Sequence, residues 1–418
     1  MTTIVAAQLT RAGRFLRSPM FPIFMIVFVD VLGVGITLPV LPLYAQNLFE
    51  ASATQVSLLQ SAYFAAQFLA APYLGRLSDR VGRRPVLILS QSGTCLSLLL
   101  SGLASSLPFL YLARLVDGVT GGNISVAQAY LSDITDEHNR ARGLGVVNAA
   151  FGTGFVFGPA FGALAAAQFG PRVPFFLAAG VSLVTILLST FLLPESLTPE
   201  KRQAAEARRA GRARMNNLAL LRLPGMALLL AVAFGGQFSF FSFQSTYVLW
   251  AERVMFAGHD PRFVQQAVGA VLTFVGLCSI ITQFWLVGPL VRRFGEKGLV
   301  TGGNLASGLA WVLMAALPVA AINLPAIPLL AVGRGVMAPA LIALVTYAAP
   351  PDQRGQAIGL AESIQGMGRI LGPIVGGLAF QYLHPTAPMV VAVLLSALTF
   401  IGTFKMRGRR PAPTTSPA

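Results

Sequence analysis

Polar and apolar positions along this chain come in long blocks, without the alternation at every second residue that marks strands. Twelve apolar runs can be drawn, near 20–44, 54–75, 84–104, 107–131, 142–167, 173–193, 224–250, 265–290, 297–318, 324–347, 355–380 and 386–405. Each is close to the roughly 20 residues that carry a helix across about 30 Å of hydrocarbon. Lipid offers exposed peptide groups no hydrogen-bond partner, so these runs are predicted to be transmembrane helices, here called spans 1 to 12. The missing alternation excludes the strands of a membrane barrel. Run 20–44 is too long for the core of a cleaved signal peptide and has no small-residue cleavage site after it, so it reads as a retained span.

Charge refines this picture. The net charge of +15 would by itself point to nucleic acid, but the placement of the charge argues for no nucleic-acid partner. Of 30 Lys and Arg, 24 lie at the termini or in the gaps after spans 2, 4, 6, 8 and 10. Arg172, Arg253 and Arg262 lie on the other side, and Arg114, Arg334 and Arg369 lie inside spans. The bias predicts a multi-pass plasma-membrane protein with both termini in the cytoplasm. Cys95 and Cys278 each sit within an apolar run, which excludes a disulfide framework. His138, His259 and His384 fall in loops, with no zinc spacing, and no phosphate-cradling glycine motif occurs. Neither a metal, a cofactor, ATP drive nor an enzyme is expected, and the sparse polar positions supply no continuous path for a channel.

The chain repeats itself. "GRLSDRVGRR" (75–84) has a faded copy in "GPLVRRFGEKG" (288–298) at an offset of 213, with Gly75, Arg80 and Gly82 matching Gly288, Arg293 and Gly295. Asp79 becomes Arg292 in that copy. "GTGFVFGPAFG" (152–162) matches "GMGRILGPIVG" (366–376) at an offset of 214. Two homologous six-helix bundles, 1–193 and 224–418, joined by a polar cytoplasmic linker 194–223, account for both pairs. The linker is either a tether or an amphipathic helix on the anionic inner leaflet. Small residues in the second motif, Gly154, Gly158, Gly162 and Gly368, Gly372, Gly376, let helices approach closely, and Pro159 and Pro373 each remove a backbone donor. Spans 5 and 11 are expected to form a moving seam between the halves.

These segments resemble the major facilitator superfamily and, within it, the twelve-span drug:proton antiporter branch. "GRLSDRVGRR" matches that family's signature Gly-x-Leu-x-Asp-Arg-x-Gly-Arg-Arg between spans 2 and 3. "DVLGVGITLPVLPLY" (30–44) resembles the branch's span 1 signature, "RLVDG" (114–118) its span 4 pattern, and "GTGFVFGPAFG" its span 5 antiporter pattern. Tetracycline efflux proteins look nearest, with departures: Ser97 stands where they carry an acid, and span 9 holds no acid although theirs does; Asp117 stands where many relatives in the family have Gln or Ala. The departures argue against tetracycline itself as cargo. The resemblance implies an all-α integral membrane protein of two pseudo-symmetric bundles, a monomer that exports a small organic molecule against protons by alternating access. An uptake symporter for a sugar or metabolite, or a lipid or siderophore exporter, shares the fold; the span 5 pattern favours export. By resemblance, the segment Gly75, Asp79, Arg80, Gly82, Arg83, Arg84 forms a latch with Asp133 that stabilises the outward-open state.

Charges in hydrocarbon cost roughly 2.5–3.5 kcal/mol each on insertion scales, so each needs a reason. Asp30, in mid-span 1, has no basic neighbour in its own helix, and low dielectric favours the neutral, proton-carrying form of a carboxyl. Arg114 and Asp117, three apart on one helix face, form either a self-neutralising pair or a proton site biased by the arginine. Glu362, seven residues before Arg369, is a further proton-coupling candidate. For the cargo, Phe234, Phe238 and Phe241 line one face of span 7 beside Gln237 and Gln244, span 2 offers Gln60 and Gln67, and span 10 offers Arg334. Aromatic faces with a few amides suit a bulky amphipathic or cationic organic molecule, although such phenylalanines also serve as helix contacts.

Overall fold

A computed structural model describes residues 20–121, 123–135, 140–198, 217–317 and 320–404. The arginines at 11, 14 and 17, His138, most of the linker (199–216) and the basic C-terminal tail lie outside the described residues.

The apolar runs are helical almost end to end, because only the helix satisfies every peptide group within its own segment. Helices α1 (Met20–Phe49), α2 (Ala53–Val81) and α3 (Arg83–Leu103) occupy the first three runs. The fourth run divides into α4 (Leu107–Thr120) and α5 (Asn123–Ile134), and α6 (Arg140–Phe169) and α7 (Val173–Leu192) follow. After the short α8 (Asn217–Leu221) come α9 (Met226–Gln244) and α10 (Tyr247–Trp250), which ends in a π-helical turn, Ala251–Met255. α11 (Pro261–Ile281) runs through a second π turn, Thr282–Leu286, into α12 (Val287–Ala316). α13 (Ala320–Ala348), α14 (Arg354–Tyr382) and α15 (Ala387–Phe404) complete the chain, with no strand among the described residues. Among the described residues, eight helical stretches are long and apolar enough to cross a membrane, one of them the 56-residue Pro261–Ala316 that holds two predicted spans. The predicted spans 2, 4 and 11 are helical but fall outside that group. The second and eleventh carry more polar residues, and the fourth breaks at Gly121.

Two glycines make the repeat visible in the backbone. Gly82 separates α2 from α3 at φ 118°, and Gly295, its counterpart in the second copy, breaks α12 at φ 68° and ψ 169°. Both values lie where side chains bearing a Cβ are strained.

Contacts divide the chain into two units. The first comprises Met1–Leu41 and Ala65–Arg212, the second Pro42–Phe64 and Ala213–Ala418. The end of the first helical hairpin where α1 meets α2 thus belongs with the second unit. In unit 1 a core of Ile23, Ile26, Val27 and Val31 packs on Val126, Ala127, Tyr130 and Val147. In unit 2, Met226, Leu229 and Ala233 pack on Leu341, Leu344, Ala357 and Ala361. Large apolar side chains such as Phe191 and Leu183 remain exposed, as lipid-facing surface requires.

The small-residue motifs close contacts inside each unit. A Cβ on Gly154 would stand 2.9 Å from the Phe28 carbonyl, and one on Gly158 would stand 2.7 Å from the Gly35 Cα, so α6 lies backbone to backbone on α1. In unit 2 a Cβ on Gly368 would stand 3.0 Å from the Phe238 nitrogen, and one on Gly372 would stand 2.7 Å from the Phe238 carbonyl. Gly162 and Gly376 repeat the approach at the Ile36 and Ser242 carbonyls. The partners of these glycines are therefore the first helix of each sequence half, where the expectation had placed a seam between halves.

Candidate functional site

In unit 1 two ionisable groups inside the membrane helices, Arg114 and Asp117, pair on α4. Arg114 Nη2 donates to Asp117 Oδ2 at 2.9 Å, and both residues are buried, at 7% and 6% exposure. Spacing of three on a helix brings them to one face. Arg114 also reaches Ser97 Oγ on α3 at 3.3 Å, while that hydroxyl donates to the Ala113 carbonyl at 2.8 Å. The Thr94 hydroxyl supplies a further hydrogen bond to Asp117. α3 comes this close because Gly93 leaves room for the Thr120 side chain. Ser97 thus binds the arginine of the pair. Asp30 is half-buried on α1, one turn before Gly33, which faces Leu98 of α3.

The arginine-rich turn between α2 and α3 is built around Arg83. Its Nη1 lies 2.6 Å from Asp79 Oδ1, one helical turn back, and its Nε lies 3.1 Å from Asp133 Oδ2 on α5. Asp133 accepts in addition from Ser196 Oγ at 3.2 Å. Three residues that sequence reasoning missed complete the arrangement. Ser78 Oγ accepts from Arg83 at 2.7 Å, and the Tyr130 hydroxyl donates to the Pro194 carbonyl at 2.9 Å. Glu195 accepts the backbone N–H groups of Arg83 and Arg84 at 2.9 and 3.1 Å. Gly82 has no side chain to cap α3, so this distant carboxylate does so, where the helix dipole favours an anion. Arg84 donates to the Thr190 carbonyl, which ties α3 to the end of α7. Gly75 faces open space, and Arg76 lies over the Tyr73 ring at 4.9 Å.

Unit 2 gathers a second polar cluster. Arg334, at the midpoint of α13, donates to the Gly236 carbonyl at 2.6 Å and to Gln237 Oε1 at 3.0 Å. Gln237 Nε2 donates onward to Gln365 Oε1 on α14 at 2.9 Å. The guanidinium lies 4.3 Å from the centre of the Phe240 ring. Phe234 and Phe238 pair at 5.6 Å, and Phe241 meets Phe64 of α2 edge-on at 4.9 Å. Glu362 and Arg369 form a longer contact, 3.5 Å, that is partly solvent-exposed.

The predicted cargo residues therefore separate. Gln237 and Arg334 share one cluster, and Phe234 and Phe238 pair with each other on the same helix. Phe241 turns to Phe64, and Gln67 donates to the Gly121 carbonyl at 2.6 Å, satisfying the helix break between α4 and α5. The amide oxygens of Gln60 and Gln244 are buried without a partner among the described residues. Gln365 and Phe240 were missed. Gln365 could have been found by its spacing of three and four from Glu362 and Arg369, which puts all three on one face.

Comparison with known proteins adds an independent line. The sequence model of the Major Facilitator Superfamily matches residues 23–257 and again 256–418. A tetracycline resistance protein, class D, of Salmonella ordonez is 31% identical over 404 residues, covering 96% of this chain and all of the relative. Multidrug resistance protein 2 of Bacillus subtilis is 29% identical over 85% of this chain and 87% of its own. Among solved structures, the human organic anion transporter MFSD10 superposes with a TM-score of 0.68 at 23% identity, covering 93% of this chain and 98% of its own. The nucleoside transporter NupG gives 0.69 at 16% identity, with the same coverage of both chains. At these identities the structures speak for the fold alone.

Proposed function

This chain belongs to the major facilitator superfamily of membrane transporters, and on that premise we propose that it exports small amphipathic organic molecules in exchange for protons. The reading rests on one observation above others: a carboxylate and a guanidinium buried as a pair on α4, with Asp30 half-buried on α1 of the same unit. A charge pair in this position is weak as a device for stability, because the desolvation of two ions offsets much of their attraction. It serves better as a switch. When Asp117 takes up a proton, Arg114 loses its counter-ion, and a hydroxyl such as that of Ser97 is a poor substitute for a carboxylate in low dielectric. The state that holds the pair then rises in energy, and a state that meets Arg114 otherwise becomes favoured. Asp30 shares the proton load.

The names of the relatives, resistance proteins for tetracycline and for multiple drugs, support a drug-like cargo, and the phenylalanines and amides of α9 suit one. Alternating access by two bundles, 1–193 and 224–418, linked through 194–223, is part of the same proposal. So are a monomer, cytoplasmic termini and the arginine turn as a latch of the outward-open state.

The test is transport in vesicles reconstituted with the purified protein, using a panel of fluorescent amphipathic dyes. An imposed proton gradient is expected to move dye opposite to the protons, and Asp30→Asn to abolish accumulation. Equal final dye levels with the gradient present and collapsed would refute proton coupling.

A further inference from the structure

Arg334 carries a charge that its own unit does not balance. Of the acids in the described part of unit 2, Glu50, Glu252, Asp260, Glu296 and Asp352 lie at helix ends or in loops, and Glu362 faces Arg369 at 3.5 Å. Arg334 makes no ion pair among the described residues, and the charge it feels most is the like charge of Arg369. Its place at the midpoint of α13, Ala320–Ala348, sets it far from lipid headgroups.

The hydrogen bonds around it have a forced direction. A guanidinium only donates. Gln237 must therefore present its oxygen to Arg334, which turns its amide nitrogen to the oxygen of Gln365. Reversing either amide would set donor against donor, so the orientations follow from chemistry. The relay ends on Gln365 Nε2, a buried donor without an acceptor among the described residues. A cation and an unmet donor thus belong to one cluster, and Phe240 supplies flat apolar surface against the guanidinium, with the Phe234–Phe238 pair on the same helix.

We propose that Arg334, with the Gln237–Gln365 relay behind it, anchors an anionic oxygen of the cargo, a carboxylate or enolate, while the phenylalanines hold its ring system. The proposal rests on the export reading and narrows it to molecules that pair an aromatic body with an acidic group. A purely cationic amphiphile would meet repulsion here and leave the buried donor unmet.

Two dyes that differ in one group provide the test: a rhodamine with a free carboxylate and its methyl ester. Each is titrated by fluorescence anisotropy into the purified full-length protein in detergent. The wild type is expected to bind the acid about tenfold tighter or more, the scale of one charge-assisted hydrogen bond in an excluded site. Arg334→Gln should bring the ratio of acid to ester affinity to about one, Arg334→Lys should keep part of the preference, and Gln365→Leu should reduce it. Because the readout is a ratio, general damage to the protein does not imitate the result. A wild type that binds the ester as tightly as the acid, or binds neither, overturns the proposal, as does an unchanged ratio in Arg334→Gln. Proton-driven movement of the ester by the wild type is measured separately. Its failure would count against the export reading while leaving the anion preference standing.

Discussion

Removing one partner of a buried ion pair differs from removing both, and the Arg114–Asp117 pair should show it. Arg114→Leu alone leaves a carboxylate in a site built for a pair, and Asp117→Leu alone leaves a guanidinium without the carboxylate it pairs with. Each is expected to destabilise the purified protein by about 3–5 kcal/mol, read as a fall in its thermal unfolding temperature in detergent. The double variant should recover most of that loss, since two apolar side chains of similar volume carry no desolvation cost. Proton-driven export should stay absent in all three. A double variant that regains export would remove the pair from the mechanism, and one no more stable than the singles would show that packing, not charge, dominates there.

Helix contacts depend on what glycine lacks. Gly158→Val would drive a side chain into the Gly35 backbone, 2.7 Å from its first added carbon, and overpacking of this kind costs about 1–3 kcal/mol. Gly180→Ala on α7, where nothing lies within 4 Å of the added carbon, should be neutral or slightly stabilising in the same thermal assay. Glu195→Gln should cost about 1 kcal/mol, because the amide still accepts from the N-terminus of α3 but no longer brings an anion to its dipole. These elements were unequally legible in the sequence. Their existence was plain, since a run long enough to cross hydrocarbon is a physical threshold that composition reveals directly. The repeat was plain too, and Gly82 and Gly295 returned as matching backbone breaks. The packing partner of Gly158 was not, because a small-residue motif states that something comes close without stating what. Glu195 was invisible for another reason: it caps a helix 112 residues earlier in the chain, and no local pattern encodes such a pairing. Gln67, a cargo candidate from its repeat at seven with Gln60, also donates to the Gly121 carbonyl, and that break could not be read because it lies in a run long enough to pass for one helix.

At the scale of the molecule, the segment Pro42–Phe64 crosses the boundary that the repeat suggests, coming from the first half of the chain and packing with the second. Hydrogen bonds join it to that half. The Thr54 N–H donates to Gln381 Oε1 at 3.1 Å, Ser61 Oγ donates to the Ile370 carbonyl at 2.9 Å, and the Gln46 amide lies between Glu252 and Arg253 at 3.3 and 3.4 Å. Ser57 is fully buried because Gly377 of α14 has no side chain; a Cβ there would stand 2.7 Å from the Ser57 Cβ. Contacts of this kind hold a state without locking it, because several modest hydrogen bonds, each worth about 1 kcal/mol net, can be exchanged for water. Under the proposed alternating access they would be exchanged once per cycle. Gly377→Leu should prevent them from re-forming. In a background with Cys95→Ser and Cys278→Ser, Ser57→Cys is expected to react slowly with a membrane-impermeant maleimide in intact cells. Adding Gly377→Leu should speed that labelling about tenfold, which corresponds to a shift of about 1.4 kcal/mol in the balance of states. Labelling that stays slow in the Gly377→Leu protein would mean that this end of the first hairpin is a fixed part of the second unit, and the moving boundary would have to be sought elsewhere in the chain.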